Sequence, residues 1–364
     1  MKLSEITQTF EHFAPLALQE DFDNSGLMVG DKNAEIRGAL LCVDITESVL
    51  DEAIALGFNL VIAHHPLIFK GLKRLNGKNY IERCVQKAIR HDIALYAAHT
   101  NFDSVRQGVS YKMAEKIGLE NLKILSPKKD ALVKIVTFAP VEFAENVRIA
   151  AFEAGAGHIG NYDFCSFSAH GEGTFRALDG AEPFLGKTGE KHAEIEKRLE
   201  FISPAYLADN VVVAIHNAHP YEEPAIDIFP LKNAWENVGL GVVGTLKNPM
   251  SEQGFLTYIK QIFGVGAIRH SKFLNKPIAK VALCGGSGAE FISDVKRCGA
   301  DIYVTADVSY HRFFEAENTL VIADIGHFES EQFTKEIFYE ILLKNFPDFK
   351  VKFSEKEKNV VEYF

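Results

Sequence analysis

The chain has 364 residues, 49 acidic against 39 basic side chains, a formal charge of −10 and 47% hydrophobic content. That length and apolar share exclude a fibre or a disordered tail and leave room for two or three domains with a substantial core. The acidic balance, with no Lys/Arg-rich block, argues against a dedicated nucleic-acid binder, which needs a basic footprint to displace counterions.

The first eighteen residues, "MKLSEITQTFEHFAPLAL", mix charges with apolar residues at helical spacing and lack a signal-peptide core. No segment approaches the length needed to cross a bilayer. Cys42, Cys84, Cys165, Cys284 and Cys298 form no CxxC pair. They read as reduced thiols, and the expectation is a cytoplasmic protein with no membrane partner.

From Arg37 the chain alternates strands and helices. "RGALLCVDI" is a buried strand and "TESVLDEAIALG" a helix with a Thr46 cap and a Gly57 stop, leading into the strand "FNLVIAHHP". The helix "IERCVQKAIRHD" and the strand "IALYAAHTNFD" complete the next cycle, the grammar of a parallel sheet. The middle breaks this pattern with strands "LVKIVTFAP", "FCSFSAHGEGTFRALDG" and "EKRLEFISP" and the helix "EFAENVRIAAFEAGAG". "PAYLADNVVVAIHNAH" reads equally as strand or helix; a helix makes the order βαββαβ, a ferredoxin-like unit. The last portion returns to the first grammar in "KPIAKVALCGGSGAEFISDVKRCGADIYVTADVSYH" and "LVIADIGHFESEQF". Laying Cys42 over Cys284 aligns strand, helix, glycine stop and second strand without a gap and sets His65 opposite Asp307. The expected fold class is therefore α/β: two related halves with mainly parallel sheets, residues 1–127 and 233–364, interrupted by a ferredoxin-like inserted domain at 128–232.

In open α/β sheets, ligands gather beyond the carboxyl ends of the strands. His64 and His65 follow one strand, His99 and Asp103 the next, and His327 with Glu331 the last. Adjacent residues of a strand point to opposite faces, so the "AHHP" pair can serve one site only at a strand end, where Pro66 forces a bend. The four-residue spacing of His327 and Glu331 places both on one face if "HFESEQF" opens a helix. His64, His65, Asp103, His327 and Glu331 are too many for one tetrahedral catalytic ion with an open position. They suit two divalent ions sharing a carboxylate and a water. Zinc, iron, manganese and cobalt all accept this nitrogen and oxygen set, with zinc the first expectation. His99 is the candidate acid/base or supporting group. Asp307 and His311 of "DVSYH" stand at the strand end corresponding to "HHP", where they either line the pocket or simply start a helix.

Other polar groups have plainer readings beside the functional one. "DNSGLMVGD", with Asp23, Asn24 and Ser25, is either an Asx turn or a loop feeding the site. "CGGSGAEF" could cradle a phosphate at a helix start but lacks the P-loop lysine, so a tight turn is the expectation. His216, His219, Tyr221 and Glu222 invite a second ligand site, although such residues more often hold a turn.

Together "DNSGLMVG", "VIAHHPLIF", "AAHTNFD", "LCGGSGAEFI" and "GHFESE" resemble the dinuclear-metal-centre proteins labelled GTP cyclohydrolase 1 type 2 homologues. The middle segment with "AHPYEEPAIDIFPL" resembles the signalling-protein-like and copper-tolerance-protein-like folds inside longer members. The resemblance implies a metal pair on His64, His65, Asp103, His327 and Glu331, and a toroidal homohexamer whose sites face an internal cavity capped by the inserted domains. Where members usually carry glycine after the threonine of "VTADVSYH", this chain has Ala306, which weakens a catalytic role for Asp307 and His311. The functional expectation is a metal-dependent hydrolase acting on GTP or a related heterocycle, with His99 or His311 moving a proton. The alternative is a metal-stabilised oligomeric scaffold or regulatory protein whose inserted domain senses a ligand.

Overall fold

The run Leu60–Ala63 is buried at every position, and so are Ala39–Cys42 and Ala94–Ala97. Strands apolar on both faces are what a parallel sheet covered by helices on either side requires. In the computed structural model, which describes residues 1–363, these three lie side by side and parallel. Val351–Phe353 joins Ala39–Cys42 in parallel at one edge, and Gly26–Val29 joins Ala94–Ala97 antiparallel at the other.

The chain separates into two compact units, Met1–Ser126 with Val238–Phe364, and Pro127–Asn237. The first unit holds this five-stranded sheet, and a second sheet is ordered Arg269–His270, Val321–Asp324, Ile302–Ala306, Ile278–Ser287, Trp235–Met250 and Glu120–Lys128. Its three central strands are parallel; Arg269–His270 and Trp235–Met250 run antiparallel to their neighbours. Parallel pairing thus occupies the middle of the second sheet between antiparallel neighbours, whereas in the first sheet it runs out to one edge and an antiparallel strand closes the other.

Local chemistry explains the matching halves. Helix Glu47–Leu56 begins where the Thr46 side chain accepts a hydrogen bond from the Val49 amide, and ends at Gly57, φ 71°. Helix Ile292–Cys298 ends at Gly299, φ 69°. Each glycine supplies the left-handed residue that terminates a helix at little cost. A strand begins three residues beyond each stop, at Leu60 and Ile302.

The second unit runs strand, helix, strand, strand, helix, strand, with antiparallel strands in the order Ser166–Arg176, Lys191–Pro204, Leu132–Pro140, Ile226–Leu231. The segment that reads equally as strand or helix is the helix Ala208–Ala218; Val211 and Ile215, four residues apart, bury against Val133, Ile135, Leu199 and Phe201. Tertiary burial of one helical face here outweighs the β propensity of "VVVAI". Among the described residues, no helix is long and apolar enough to cross a membrane.

Candidate metal centre

His64 and His65 continue the sheet register beyond Ala63, their amides donating to the Cys42 and Val43 carbonyls. His64 is fully buried and His65 half-buried, yet their ring centroids lie 5.0 Å apart. His327 opens the short helix His327–Glu331, so its ring and the Glu331 carboxylate share one face, 3.1 Å from Nε2 to Oε2. Asp103 closes the helix Thr100–Asp103, its Oδ1 4.0 Å from His64 Nε2. A cavity of about 550 Å³ is lined by His65, His99, Asp103, His327 and Glu331, with Phe22, Phe69, Tyr80 and Phe291.

Every imidazole in the cluster is held by Nδ1. His64 Nδ1 lies 2.8 Å from the Ala98 carbonyl, His65 Nδ1 2.8 Å from Asp44, His99 Nδ1 2.8 Å from Asp23 and His327 Nδ1 2.6 Å from Asp307. These partners are acceptors, so each Nδ1 carries the proton and the Nε2 lone pair is what the neutral ring presents inward. The inward atoms crowd together: Glu331 Oε2 is 2.9 Å from His65 Nε2, His64 Nε2 is 3.5 Å from Glu331 Oε1, and the His65 and His327 Nε2 atoms are 3.2 Å apart. With the rings neutral, three buried atoms, His64 Nε2, Asp103 Oδ1 and Glu331 Oε2, have no hydrogen-bond partner among the described residues. Buried polar atoms left unpaired are costly, and converging lone pairs from nitrogen and carboxylate oxygen are what a cation satisfies.

Two donor triads emerge, His64 with His65 and His99, and His65 with His327 and Glu331, the ligating atoms of each within 4.8 Å of one another. This His/Glu cluster is a candidate metal-binding site. The donor set fits a divalent ion, and His99 lies as close to it as the residues expected to be ligands.

The electrostatics agree. Burial would lift the Glu331 carboxyl, but His64 and His65 outweigh it and hold it well below the usual carboxylate range. Burial lowers the imidazole of His65, yet Glu331 and Asp44 carry it to about 10; for His327, against the same burial, Asp307 and Glu331 carry it to about 11. Without an ion, the Glu331 carboxylate is the acceptor on which both protonated rings rely, its Oε2 2.9 Å from His65 Nε2 and 3.1 Å from His327 Nε2. Burial pushes the Asp103 carboxyl up to about 7, against the pull of His64. His99 behaves oppositely: burial lowers it despite Asp23.

"DNSGLMVGD" feeds this site. Asp23 accepts from the Thr100 amide at 3.0 Å, from Ser25 Oγ at 2.8 Å and from the Thr100 hydroxyl, besides holding His99. "CGGSGAEF" also reaches it, because Gly286, φ 61°, lies against Glu331 and a Cβ there would collide with Oε1. His311 is not brought in: it is exposed, off the cavity wall, and contacts Tyr310 and Phe314. Its neighbour Asp307 reaches the cluster through His327, from a left-handed backbone, φ 52°, that aspartate tolerates. In the second unit His219 holds a turn, Nε2 against the Phe138 carbonyl and Nδ1 accepting from the Tyr221 amide.

A family model described as Duf34/NIF3 (NGG1p interacting factor 3) matches residues 1–360. The chain belongs to this family. Duf34/NIF3 relatives include a Bacillus subtilis protein named GTP cyclohydrolase 1 type 2 homolog, 41% identical over 334 residues, which are 91% of this chain and 89% of that protein. A Halalkalibacterium halodurans protein of the same name is 41% identical over 324 residues, 88% and 87% of the two chains. Among solved structures, a Bacillus cereus protein related to NIF3 aligns over 100% of this chain and 99% of its own, with 38% identity and a TM-score of 0.84. A Staphylococcus aureus protein aligns over the same shares with 28% identity and a TM-score of 0.80. The mixed α/β architecture with several sheets is therefore the Duf34/NIF3 fold.

Two supports of this Duf34/NIF3 site escape a search for ligand-type residues. Asp44, which holds His65, follows the strand Ala39–Cys42, so the strand-end rule that found the histidines reaches it too. Glu357 carries no local signal. Its buried carboxylate accepts from the Val43 and Asp44 amides and pairs with Lys335, fixing the turn that presents Asp44.

Proposed function

We propose that this Duf34/NIF3 protein is a metal-dependent hydrolase holding two divalent ions on His64, His65, Asp103, His327 and Glu331, zinc before iron, manganese or cobalt. The observation that carries the reading is the inward convergence of Nε2 atoms on Glu331, with three buried atoms unpaired. Glu331, central and within reach of three imidazoles, would hold a divalent ion together with them. Divalent ions in such a site lower the pKa of water to near neutrality and polarise an electrophile.

The chain's own residues supply the rest. Asp23 keeps the His99 proton on Nδ1, and the lowered pKa leaves Nε2 bare at neutral pH, so His99 takes a proton from the attacking water and returns it to the leaving group. His311 has no such position in the single chain. The aromatic rim of Phe22, Phe69, Tyr80 and Phe291 suits a planar heterocycle, which makes GTP the first substrate to assay. The second unit, by its strand and helix order, is read as a ferredoxin-like inserted domain. The ring-shaped homohexamer implied by the resemblance completes the reading, and sedimentation equilibrium giving a six-chain mass checks it.

The test is elemental analysis of purified protein beside hydrolysis assays on the same samples, for wild type, His64→Ala and Glu331→Gln. Two ions per chain, reduced in both variants together with turnover, support the hydrolase. Bound metal without turnover on GTP or a broad heterocycle panel removes the catalytic claim. Absence of specifically bound metal removes the whole reading.

A further inference from the structure

The second unit's sheet packs Val133, Ile135, Leu199 and Phe201 against its two helices. Side chains alternate along a strand, so Phe138, Glu196 and Arg198 belong to the opposite face. There a cleft of about 780 Å³ opens, floored in part by Ala169, Gly171 and Gly173 of the edge strand Ser166–Arg176. Within it Glu196 is 8% exposed, unusual for a carboxylate with no cationic partner among the described residues. Its Oε1 accepts from the Tyr221 hydroxyl at 2.7 Å. Its Oε2 lies where a Cβ on Gly173 would stand, and accepts nothing from the described residues.

This carboxylate is held in place in advance. The Phe138 carbonyl fixes His219, His219 Nδ1 fixes the Tyr221 amide, and the Tyr221 hydroxyl fixes Glu196. Burial and the adjacent carboxylate hold the Tyr221 phenol well above its ordinary value, so it remains a donor at neutral pH. Phe175 and Phe184 flank the tyrosine, ring centroids 5.8 Å and 6.5 Å away. The charge of the walls is acidic: Glu172, Glu196, Glu222 and Glu223 stand against Arg176 and Arg198. Arg198 is already engaged, its Nε 2.9 Å from Glu200 and its guanidinium 5.7 Å from the centre of the Phe138 ring. The chain's own guanidinium is thus held over an aromatic face, next to Glu196 along the same strand. Beside it, Phe175, Phe184 and Tyr221 offer aromatic faces, and Glu196 Oε2 accepts nothing from the described residues.

We infer that this cleft binds a small planar organic cation, an amidine or guanidine borne on an aromatic ring, with its N–H groups on Glu196 Oε2 and its ring among Phe175, Phe184 and Tyr221. Charge-assisted hydrogen bonding and cation–π attraction act together on that class, while the acidic walls repel phosphates and carboxylates. A divalent ion is disfavoured, because among the described residues no three metal-type donors converge here. The inference is independent of the metal reading.

Calorimetric titration of the full chain with benzamidine, neutral benzamide and anionic benzoate tests it. Saturable benzamidine binding is expected, at least about tenfold tighter than benzamide, with no benzoate binding. Glu196→Gln should weaken benzamidine about tenfold or more while thermal melting stays unchanged. Should that variant melt early, Tyr221→Phe removes only the hydroxyl and is expected to weaken benzamidine less. Equal binding of benzamidine and benzamide overturns the inference. So does the absence of saturation by about 10 mM, an affinity too weak for a built site, or unchanged binding by folded Glu196→Gln.

Discussion

Two buried carboxylates, Glu331 in the first unit and Glu196 in the second, are seated by the same device. Each lies against a glycine whose Cβ would collide with it, Gly286 for Glu331 and Gly173 for Glu196. They differ in company. Glu331 faces imidazole nitrogens turned inward by acceptors behind them, whereas Glu196 faces a phenol and aromatic rings. Glycine makes the room, and the neighbours decide whether the room suits a metal ion or an organic cation.

The hardest way to break this parallel is Gly286→Ala, which adds a Cβ against Glu331 at a left-handed position. Zinc titration against a chelator is expected to show metal affinity down about a hundredfold or more, with the fold retained. Asp44→Asn leaves every inward atom in place but weakens the hold on His65 Nδ1; a loss of about 10- to 100-fold is expected in the same titration. Unchanged affinity in either variant would deny that the cluster holds metal. Gly173→Ala should act more weakly, lowering benzamidine affinity a few-fold, since the edge strand Ser166–Arg176 is largely exposed and can yield.

The smallest effect is on pH dependence. His65 and His327 have folded-state values of about 10 and about 11, above the ordinary 6.5. A raised value means their contribution to the stability of chelator-treated protein is fully present below pH 6.5 and is lost as pH rises toward 10. Urea denaturation across that window should show stability falling in wild type and a flatter profile in His65→Asn. Metal binding should release protons over the same range and strengthen with pH. A flat wild-type profile would remove the carboxylate–imidazole coupling.

Much of this was legible. The strand ends carrying His64, His65, His99, Asp103, His327 and Glu331 were visible because a buried parallel strand has an unbroken apolar run and its polar residues begin where it stops. The gapless offset between Gly57 and Gly299 was visible because both end helices in the same left-handed conformation. The helix Ala208–Ala218 was not, since β-branched residues on a helix are chosen by what they pack against. Nor was the position of His311, whose strand end matches that of His65 while its ring stays outside the cavity. The pairing of histidines with aspartates was hidden for the same reason as Glu357: contacts such as His99 with Asp23 are made by folding and leave no spacing rule in the chain.

The Glu357 carboxylate that caps the Val43 and Asp44 amides comes from 314 positions along the chain. Contacts so remote in sequence form late, because a long loop must close before they yield anything. During synthesis, His64, His65 and Asp44 leave the ribosome long before residue 357 exists. A nascent chain therefore displays the histidine pair with its supporting turn still unpinned until Glu357 has been made.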